Sequence, residues 1–152
     1  MAKHSNPTLG RILAAGAAGG AMEVVWIGLV TAVLGIQASE VARGVATTVI
    51  PATGGTALAP WFGLFVHFLL SAGLALVFAR AVGSRLHGAR LVVAAVAALA
   101  AVWAFNFFVL LPAINPAFTA LLPHPVTLAS KLLFGVGMAS VLCGEGRRPA
   151  AF

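Results

Sequence analysis

The chain has very few charged residues. Only 8% of its 152 residues are charged, 9 of them Lys or Arg and 3 Asp or Glu, whereas 61% are hydrophobic. Because soluble domains carry about 25% charged residues, this chain could not cover a water-exposed surface. The high apolar content also excludes intrinsic disorder, since disordered chains have too few apolar side chains to form a core. The composition therefore predicts an integral membrane protein whose main partner is the lipid bilayer.

Residue types used in catalysis, disulfide bonds and metal binding are also scarce. There is no tyrosine, a single cysteine (Cys143), and no sequence motif of a hydrolase, a metalloprotease or a phosphate-binding loop. One cysteine excludes an internal disulfide, and 3 acidic residues are too few for di-metal carboxylate chemistry. We therefore expect no enzyme activity, no cofactor and no metal site. The net charge of +6 comes from basic residues at the ends of apolar runs, so we expect no nucleic acid partner.

Four apolar segments are each long enough to cross a membrane, which takes about 20 helical residues. Asn6, followed by a proline, is expected to cap the first span, and Pro112 is expected to end the third. The predicted fold is an all-α integral membrane four-helix bundle in a single domain, residues 1–152. The predicted spans are residues 12–36, 57–79 (or from residue 60), 91–111 and 126–143.

The basic residues are unevenly distributed between the loops. Arg43 is in the first loop, whereas the N-terminus, the second loop and the C-terminus together hold seven Lys or Arg residues. Because Lys and Arg accumulate on the cytoplasmic side, we predict that both termini are cytoplasmic and that the first and third loops lie outside. The seven residues are Lys3, Arg11, Arg80, Arg85, Arg90, Arg147 and Arg148.

Each predicted outer loop carries the pattern of a short helix. In the first loop, Ser39 is a candidate N-cap for a helix over residues 40–50, which includes an ion pair between Glu40 and Arg43. In the third loop, Asn115 and the proline after it predict a helical turn that runs to residue 122. We expect both short helices to lie in the membrane interface.

One acidic residue lies deep within the first span. Glu23 follows Ile12 by 11 residues, which places it about 16 Å into an apolar layer of about 30 Å. Gly16 and Gly20 share its helix face and would let another helix approach closely, so we expect Glu23 to face the bundle interior. It is either a proton or cation site or a neutral acid whose hydrogen bonds position the helices.

The other three spans each contribute one polar residue. His67 can donate a hydrogen bond to Glu23, serve a purely structural role, or bind haem or a metal. Lys131 can extend to the interface or form a salt bridge with Glu23, and Asn106 can join helices or line a polar vestibule. Because one polar group comes from each helix, we predict an intramembrane cluster of Glu23, His67, Asn106 and Lys131.

Three segments resemble a known group of proteins. They read EVARGV (residues 40–45), VWAFNFFVLLPAINPAF (residues 102–118) and LASKLLFG (residues 128–135), which is under a third of the chain. They are similar to a family of short four-span bacterial membrane proteins of uncharacterised function, some labelled sodium:proline symporters, although four spans are too few for such a symporter. The resemblance implies a protein of the bacterial inner membrane and assigns no functional residue.

These observations support three hypotheses about function. The first is an oligomeric transport or permeation protein in which Glu23 and His67 form a protonatable site. The second is a non-enzymatic accessory or assembly subunit of a larger membrane complex. The third is a haem or metal protein. A bundle this small encloses little space, so a homo-oligomer or a membrane partner is expected.

Overall fold

A computed structural model describes residues 7–82 and 85–144 of the chain, and within these ranges it contains helices and no strands. Pro51–Gly55 forms a short 3₁₀ helix between the second and third α-helices. The helices are α1 (Leu9–Leu34), α2 (Ala38–Val49), α3 (Ala59–Val82), α4 (Gly88–Ile114), α5 (Pro116–Thr119) and α6 (His124–Cys143).

Within the described ranges, four helices are long and apolar enough to span a membrane, namely α1, α3, α4 and α6. They correspond to the four predicted spans, and their ends differ from the predicted ends by up to three residues. The expectation of an all-helical chain with four spans is confirmed, and the protein is a multi-pass membrane protein. Long apolar runs were sufficient to predict the four spans, because a helix that crosses a membrane needs about 20 mostly apolar residues and few other sequence features.

Pro112 does not end the third span, contrary to the prediction. The helix changes at Asn106–Leu110 to a π-helical turn, in which the Leu111 N–H bonds the Asn106 carbonyl, and then continues to Ile114. Proline lacks an N–H and its ring crowds the preceding turn, which normally breaks a helix. Here Pro112 lies in the first turn after the π segment, a position that tolerates a missing N–H.

Both predicted N-caps are also corrected. Asn6 lies outside the described residues, and the side chain that caps α1 is Thr8, whose hydroxyl accepts a hydrogen bond from the Arg11 N–H at 3.4 Å. In the first loop the helix begins at Ala38, before Ser39, so Ser39 cannot be the cap. The predicted pair within this helix is present, with 3.5 Å between Arg43 Nε and Glu40 Oε1.

The spanning helices are packed in the order α3, α1, α6, α4. Close backbone contacts join α3 to α1, α1 to α6 and α6 to α4, whereas α3 and α4 approach each other at few points or none. The ring of helices is therefore open between α3 and α4. Buried side chains from all four helices fill the end where α1 and α4 begin and where α3 and α6 end, and they include Ile12, Phe78, Leu91, Phe134 and Met138.

Glycines allow α1 to approach two neighbours closely. A Cβ on Gly16 would lie 2.8 Å from the Ser71 carbonyl oxygen of α3, and a Cβ on Gly20 would lie 2.8 Å from Ser71 Oγ. On the other side, Gly19 faces Phe134 of α6, where a Cβ would lie 2.9 Å from the ring. There is no room for a side chain at these positions. The glycines therefore allow the backbone of α1 to pack closely against its two neighbours.

Helix α2 packs along α3 rather than lying free on a surface. A Cβ on Gly63 of α3 would collide with the backbone carbonyl of Ala42 in α2. Gly44 of α2 lies against the ring of Phe118, which belongs to the short helix α5. Helix α5 is shorter than predicted, since it ends at Thr119. The two loop helices thus meet each other at the end of the bundle opposite the packed core.

Candidate functional site

A cavity of about 420 Å³ lies at the end of the bundle where the loop helices meet. Side chains of all four spanning helices and of α2 line it. The four polar residues predicted from the sequence, Glu23, His67, Asn106 and Lys131, all face this cavity. The structure therefore brings the four side chains together in one place, although they are far apart in the sequence.

The cavity is closed at one end and open at one side. Phe134 is fully buried, belongs to the packed core and also lines the cavity, so it forms the floor. At the rim, Leu70 of α3 is 57% exposed and Leu110 of α4 is 40% exposed. Both residues lie on the side of the bundle where α3 and α4 make few close backbone contacts, which gives the cavity a side opening between these helices near the loop end.

Glu23 and Lys131 form a salt bridge on the cavity wall. Lys131 Nζ lies 2.7 Å from each carboxylate oxygen of Glu23. Ser130 Oγ lies 3.1 Å from Glu23 Oε1, close enough to donate a second hydrogen bond. The lysine side chain is 16% exposed and the glutamate side chain 11%, so water screens this pair little. Of the two interpretations of Lys131, the structure forms the salt bridge.

Ser130 is a site residue that the sequence reasoning missed. Its hydroxyl also lies 2.7 Å from the carbonyl of Thr127, one turn earlier in α6. A hydroxyl has one proton, so it donates either to this carbonyl or to Glu23, and the choice can follow the charge of the carboxylate. The sequence signal that could have identified Ser130 is its position next to Lys131, because two adjacent residues of one helix can both contact a side chain of the neighbouring helix.

His67 does not bond Glu23, contrary to one sequence-based interpretation. His67 Nε2 donates to the Gly20 carbonyl oxygen of α1 at 3.1 Å, and no hydrogen bond joins the imidazole to Glu23 in the described part of the chain. A carbonyl oxygen can only accept, so Nε2 carries a proton. The imidazole ties α3 to α1 one turn away from the Glu23–Lys131 salt bridge, and its role is at least partly structural.

Asn106 occupies an unusual backbone position. It is the first residue of the π-helical turn, and its side chain lines the cavity without a hydrogen-bond partner among the described residues. π-helical turns are rare and often mark functional sites, because they rotate side chains relative to the rest of the helix. The Asn106 amide thus offers both a donor and an acceptor to whatever fills the cavity.

Two tryptophans hold the start of α6 in place beside the cavity. Trp26 Nε1 of α1 donates to the Val126 carbonyl at 3.0 Å, and Trp103 Nε1 of α4 donates to Thr127 Oγ1 at 3.0 Å. Each indole presents its ring to apolar neighbours and satisfies its single N–H, as buried tryptophans usually do. Both contacts position the first turn of α6, and Ser130 and Lys131 extend from the turn that follows it.

Asn115 fastens α2 over the cavity. Its Nδ2 group lies 2.9 Å from Thr48 Oγ1, 3.2 Å from Thr47 Oγ1 and 3.3 Å from the Gly44 carbonyl oxygen. Its Oδ1 accepts a hydrogen bond from the Phe118 N–H and so caps α5. One side chain thus caps a helix and joins α5 to α2, whereas the sequence predicted only that a helical turn starts here.

We expect Asn115→Ala to release α2 from α5. The substitution removes the hydrogen bonds of Nδ2 to α2 and the cap of α5, with an expected loss of about 1–2 kcal/mol of stability. Hydrogen–deuterium exchange should show faster exchange of amides in α2. Asn115→Asp is the matched control, since it keeps the capping oxygen and loses the donor. Faster exchange of α2 in both variants is expected, and unchanged exchange in Asn115→Asp would contradict a role for Nδ2.

Within residues 7–82 and 85–144, no three His, Cys, Asp or Glu side chains come together as a metal site would require. The cavity instead combines mostly apolar walls with a salt bridge, one imidazole, one amide without a hydrogen-bond partner among the described residues, and the hydroxyl residues Thr48, Ser71, Thr127 and Ser130. Such a surface can bind a small molecule.

Comparison with known proteins found no match: no protein-family model, curated protein or solved structure matches this chain. The resemblance of three segments to a bacterial membrane protein family stays a prediction. The functional interpretation therefore depends on the cavity and the residues that line it.

Proposed function

We propose that the protein transports or admits a small solute across a membrane, and that the cavity is its solute site. The observation that carries this proposal is the salt bridge between Glu23 and Lys131 on the wall of a cavity within four membrane-spanning helices. Charged side chains inside spanning helices are costly, so they are usually kept where they act on an ion, a proton or a substrate.

A proton on Glu23 would change the interactions in the cavity. A protonated carboxyl group no longer balances the charge of Lys131, so the ammonium group would have to find water or the solute as a new partner. Ser130 would be free to donate to the Thr127 carbonyl instead of to the carboxylate. Solute binding and proton uptake would therefore depend on each other, which is the property that a proton-coupled transporter requires.

The proposed orientation follows from the basic residues. Both termini would be cytoplasmic in the bacterial inner membrane, and the cavity would face the outside, beneath α2 and α5. Arg11, Arg80, Arg85 and Arg90 all lie near the core-filled end of the bundle, which fits this orientation. Lys3, Arg147 and Arg148 lie outside the described residues. A cysteine-accessibility assay in intact cells tests the orientation directly.

An oligomer belongs to the proposal. The cavity stops at Phe134, and the packed core occupies the rest of the bundle, so one copy offers no continuous path across the membrane. Either the core opens in a second conformation or a second copy, or a membrane partner, completes the path. The alternative of an accessory subunit would place a partner at the open side between α3 and α4.

Flux measurements in proteoliposomes test the proposal. We expect the purified protein to move protons into vesicles that contain a pH-sensitive dye, or to admit small neutral solutes in a swelling assay, faster than protein-free vesicles. Glu23→Gln should lower that flux at least tenfold. Glu40→Gln is the matched control, because Glu40 is an exposed acid that does not line the cavity. It should keep the wild-type flux.

A folding defect must be separated from a transport defect. Glu23→Gln leaves Lys131 without its partner, so the double variant Glu23→Gln with Lys131→Met is measured alongside it. The double variant contains no unpaired charge at this site and should fold, yet it should show no flux above protein-free vesicles. Absence of flux from the wild-type protein in both assays, or flux that is indifferent to both substitutions, contradicts the proposal. Fixed-ratio purification with another polypeptide would then favour the accessory subunit.

A further inference from the structure

We infer that the cavity binds an uncharged amphipathic molecule, with an apolar body and one hydroxyl, carbonyl or amide end, which reaches it from the lipid through the gap between α3 and α4. This inference deepens the proposed function, because it names the chemical class of the solute. It depends on three observations, namely the apolar walls of the cavity, the salt bridge in which Glu23 and Lys131 neutralise each other, and the position of the cavity opening.

The walls suit an apolar body. Most lining residues are aliphatic or aromatic, and the cavity of about 420 Å³ is within the range of small-molecule sites. A hydrated ion would lose its water against such walls and gain few polar contacts in return, so an ion is a poor occupant. Apolar lining residues come from α2, α3 and α4 and include Val45, Leu64, Leu74, Val102 and Leu111.

The polar part of the cavity favours an uncharged end group. Glu23 and Lys131 already neutralise each other at 2.7 Å, so a charged ligand would bring an unbalanced charge into an apolar site. Asn106 is different, because its amide has no hydrogen-bond partner in the described part of the chain. An amide donates and accepts, which matches a hydroxyl, a carbonyl or another amide.

The opening points to the lipid. Leu70 of α3 and Leu110 of α4 are exposed at the rim, and both lie within helices that span the membrane. A path between two spanning helices leads into the acyl chains and not into water. A solute that uses this path must dissolve in the bilayer, so an apolar body is a requirement of access as well as of binding.

Photolabelling in lipid nanodiscs tests this inference. The full-length protein is irradiated with a decanol analogue that carries a diazirine, and the labelled peptides are identified by mass spectrometry. We expect labels on the cavity walls formed by α3 and α4. Unlabelled decan-1-ol should compete for these positions at least tenfold better than decyltrimethylammonium or decane-1-sulfonate, which have the same chain and a fixed charge of either sign.

Substitutions identify the polar contact. Asn106→Leu should weaken competition by decan-1-ol about tenfold, because it removes the hydrogen-bonding group and keeps the branched shape and the number of heavy atoms. Phe105→Leu is the matched control, since Phe105 is the neighbouring residue, is exposed and does not line the cavity. It should leave competition unchanged. If Asn106→Leu fails to fold, Asn106→Ala takes its place, and the comparison of the three competitors on the wild-type protein still decides.

The outcomes separate this inference from the proposed function. Labels scattered over the lipid-facing residues, or equal competition by the charged compounds, overturn the inference. Proton or solute flux without cavity labelling leaves the transport proposal standing and removes the amphipathic solute. Cavity labelling without any flux supports the ligand class and contradicts transport.

Discussion

Replacing Glu23 with glutamine is expected to lower the free energy of unfolding by about 3–5 kcal/mol, because Lys131 would remain charged without its partner in an apolar environment. The same size of effect is expected for Lys131→Met, which leaves the carboxylate unpaired. Both side chains are at most 16% exposed, so water compensates little for the lost partner. A salt bridge exposed to water would give a much smaller effect.

The double variant distinguishes the interaction between Glu23 and Lys131 from the separate effect of each side chain on stability. With Glu23→Gln and Lys131→Met together, no unpaired charge remains, and the loss should be smaller than the sum of the two single losses by 2 kcal/mol or more, as an order of magnitude. Unfolding by SDS titration in mixed micelles measures all four proteins of this cycle. Additive losses would mean that the two side chains do not stabilise each other, which would contradict the geometry of the site.

The four spans could be predicted from the sequence because hydropathy acts over long runs. A segment such as residues 91–111 has no charge and can only be stable in lipid or in a core, whatever its neighbours do. The ends of the helices were less predictable. Pro112 is a helix breaker by its own chemistry, and only the π-helical turn that starts at Asn106 lets the helix continue past it.

Four of the polar residues in the cavity could also be predicted, for a related reason, whereas its hydroxyl residues such as Ser130 could not. An isolated Glu23 or Lys131 in lipid is costly, so such residues are expected to meet other polar groups. Which groups meet was not predictable. His67 bonds a backbone carbonyl of α1 instead of Glu23, because the choice depends on the rotation of α3 about its axis. Apolar sequence on all sides of a spanning helix carries little information about that rotation.

The order of the helices depends on contacts that a sequence pattern indicates only in part. Gly16 and Gly20 predicted a close helix neighbour, and the structure places α3 against them. Nothing in the pattern distinguished α3 from α4 as that neighbour. The choice matters for function, because α3 and α4, which make few close backbone contacts with each other, both contribute exposed residues to the rim of the cavity.

Gly16→Ala should therefore destabilise the protein, although alanine is the better helix former. Its Cβ would lie 2.8 Å from the Ser71 carbonyl oxygen and 2.9 Å from Ala72 Cα, and both are backbone atoms that cannot rotate away. Helices α1 and α3 would have to separate, with an expected loss of about 1–3 kcal/mol in the free energy of unfolding. The separation should also weaken the hydrogen bond from His67 to Gly20, since it crosses the same interface.

Gly73→Ala is the matched control for this prediction. Gly73 also lies inside a spanning helix, but a Cβ there would have no atom within 4 Å, so only helix propensity changes. This variant should be unchanged or more stable by up to about 1 kcal/mol. If α1 and α3 pack through Gly16, SDS titration should show a lower free energy of unfolding for Gly16→Ala and an unchanged or higher one for Gly73→Ala. Equal effects in the two variants would mean that the contact seen at Gly16 does not hold these helices together.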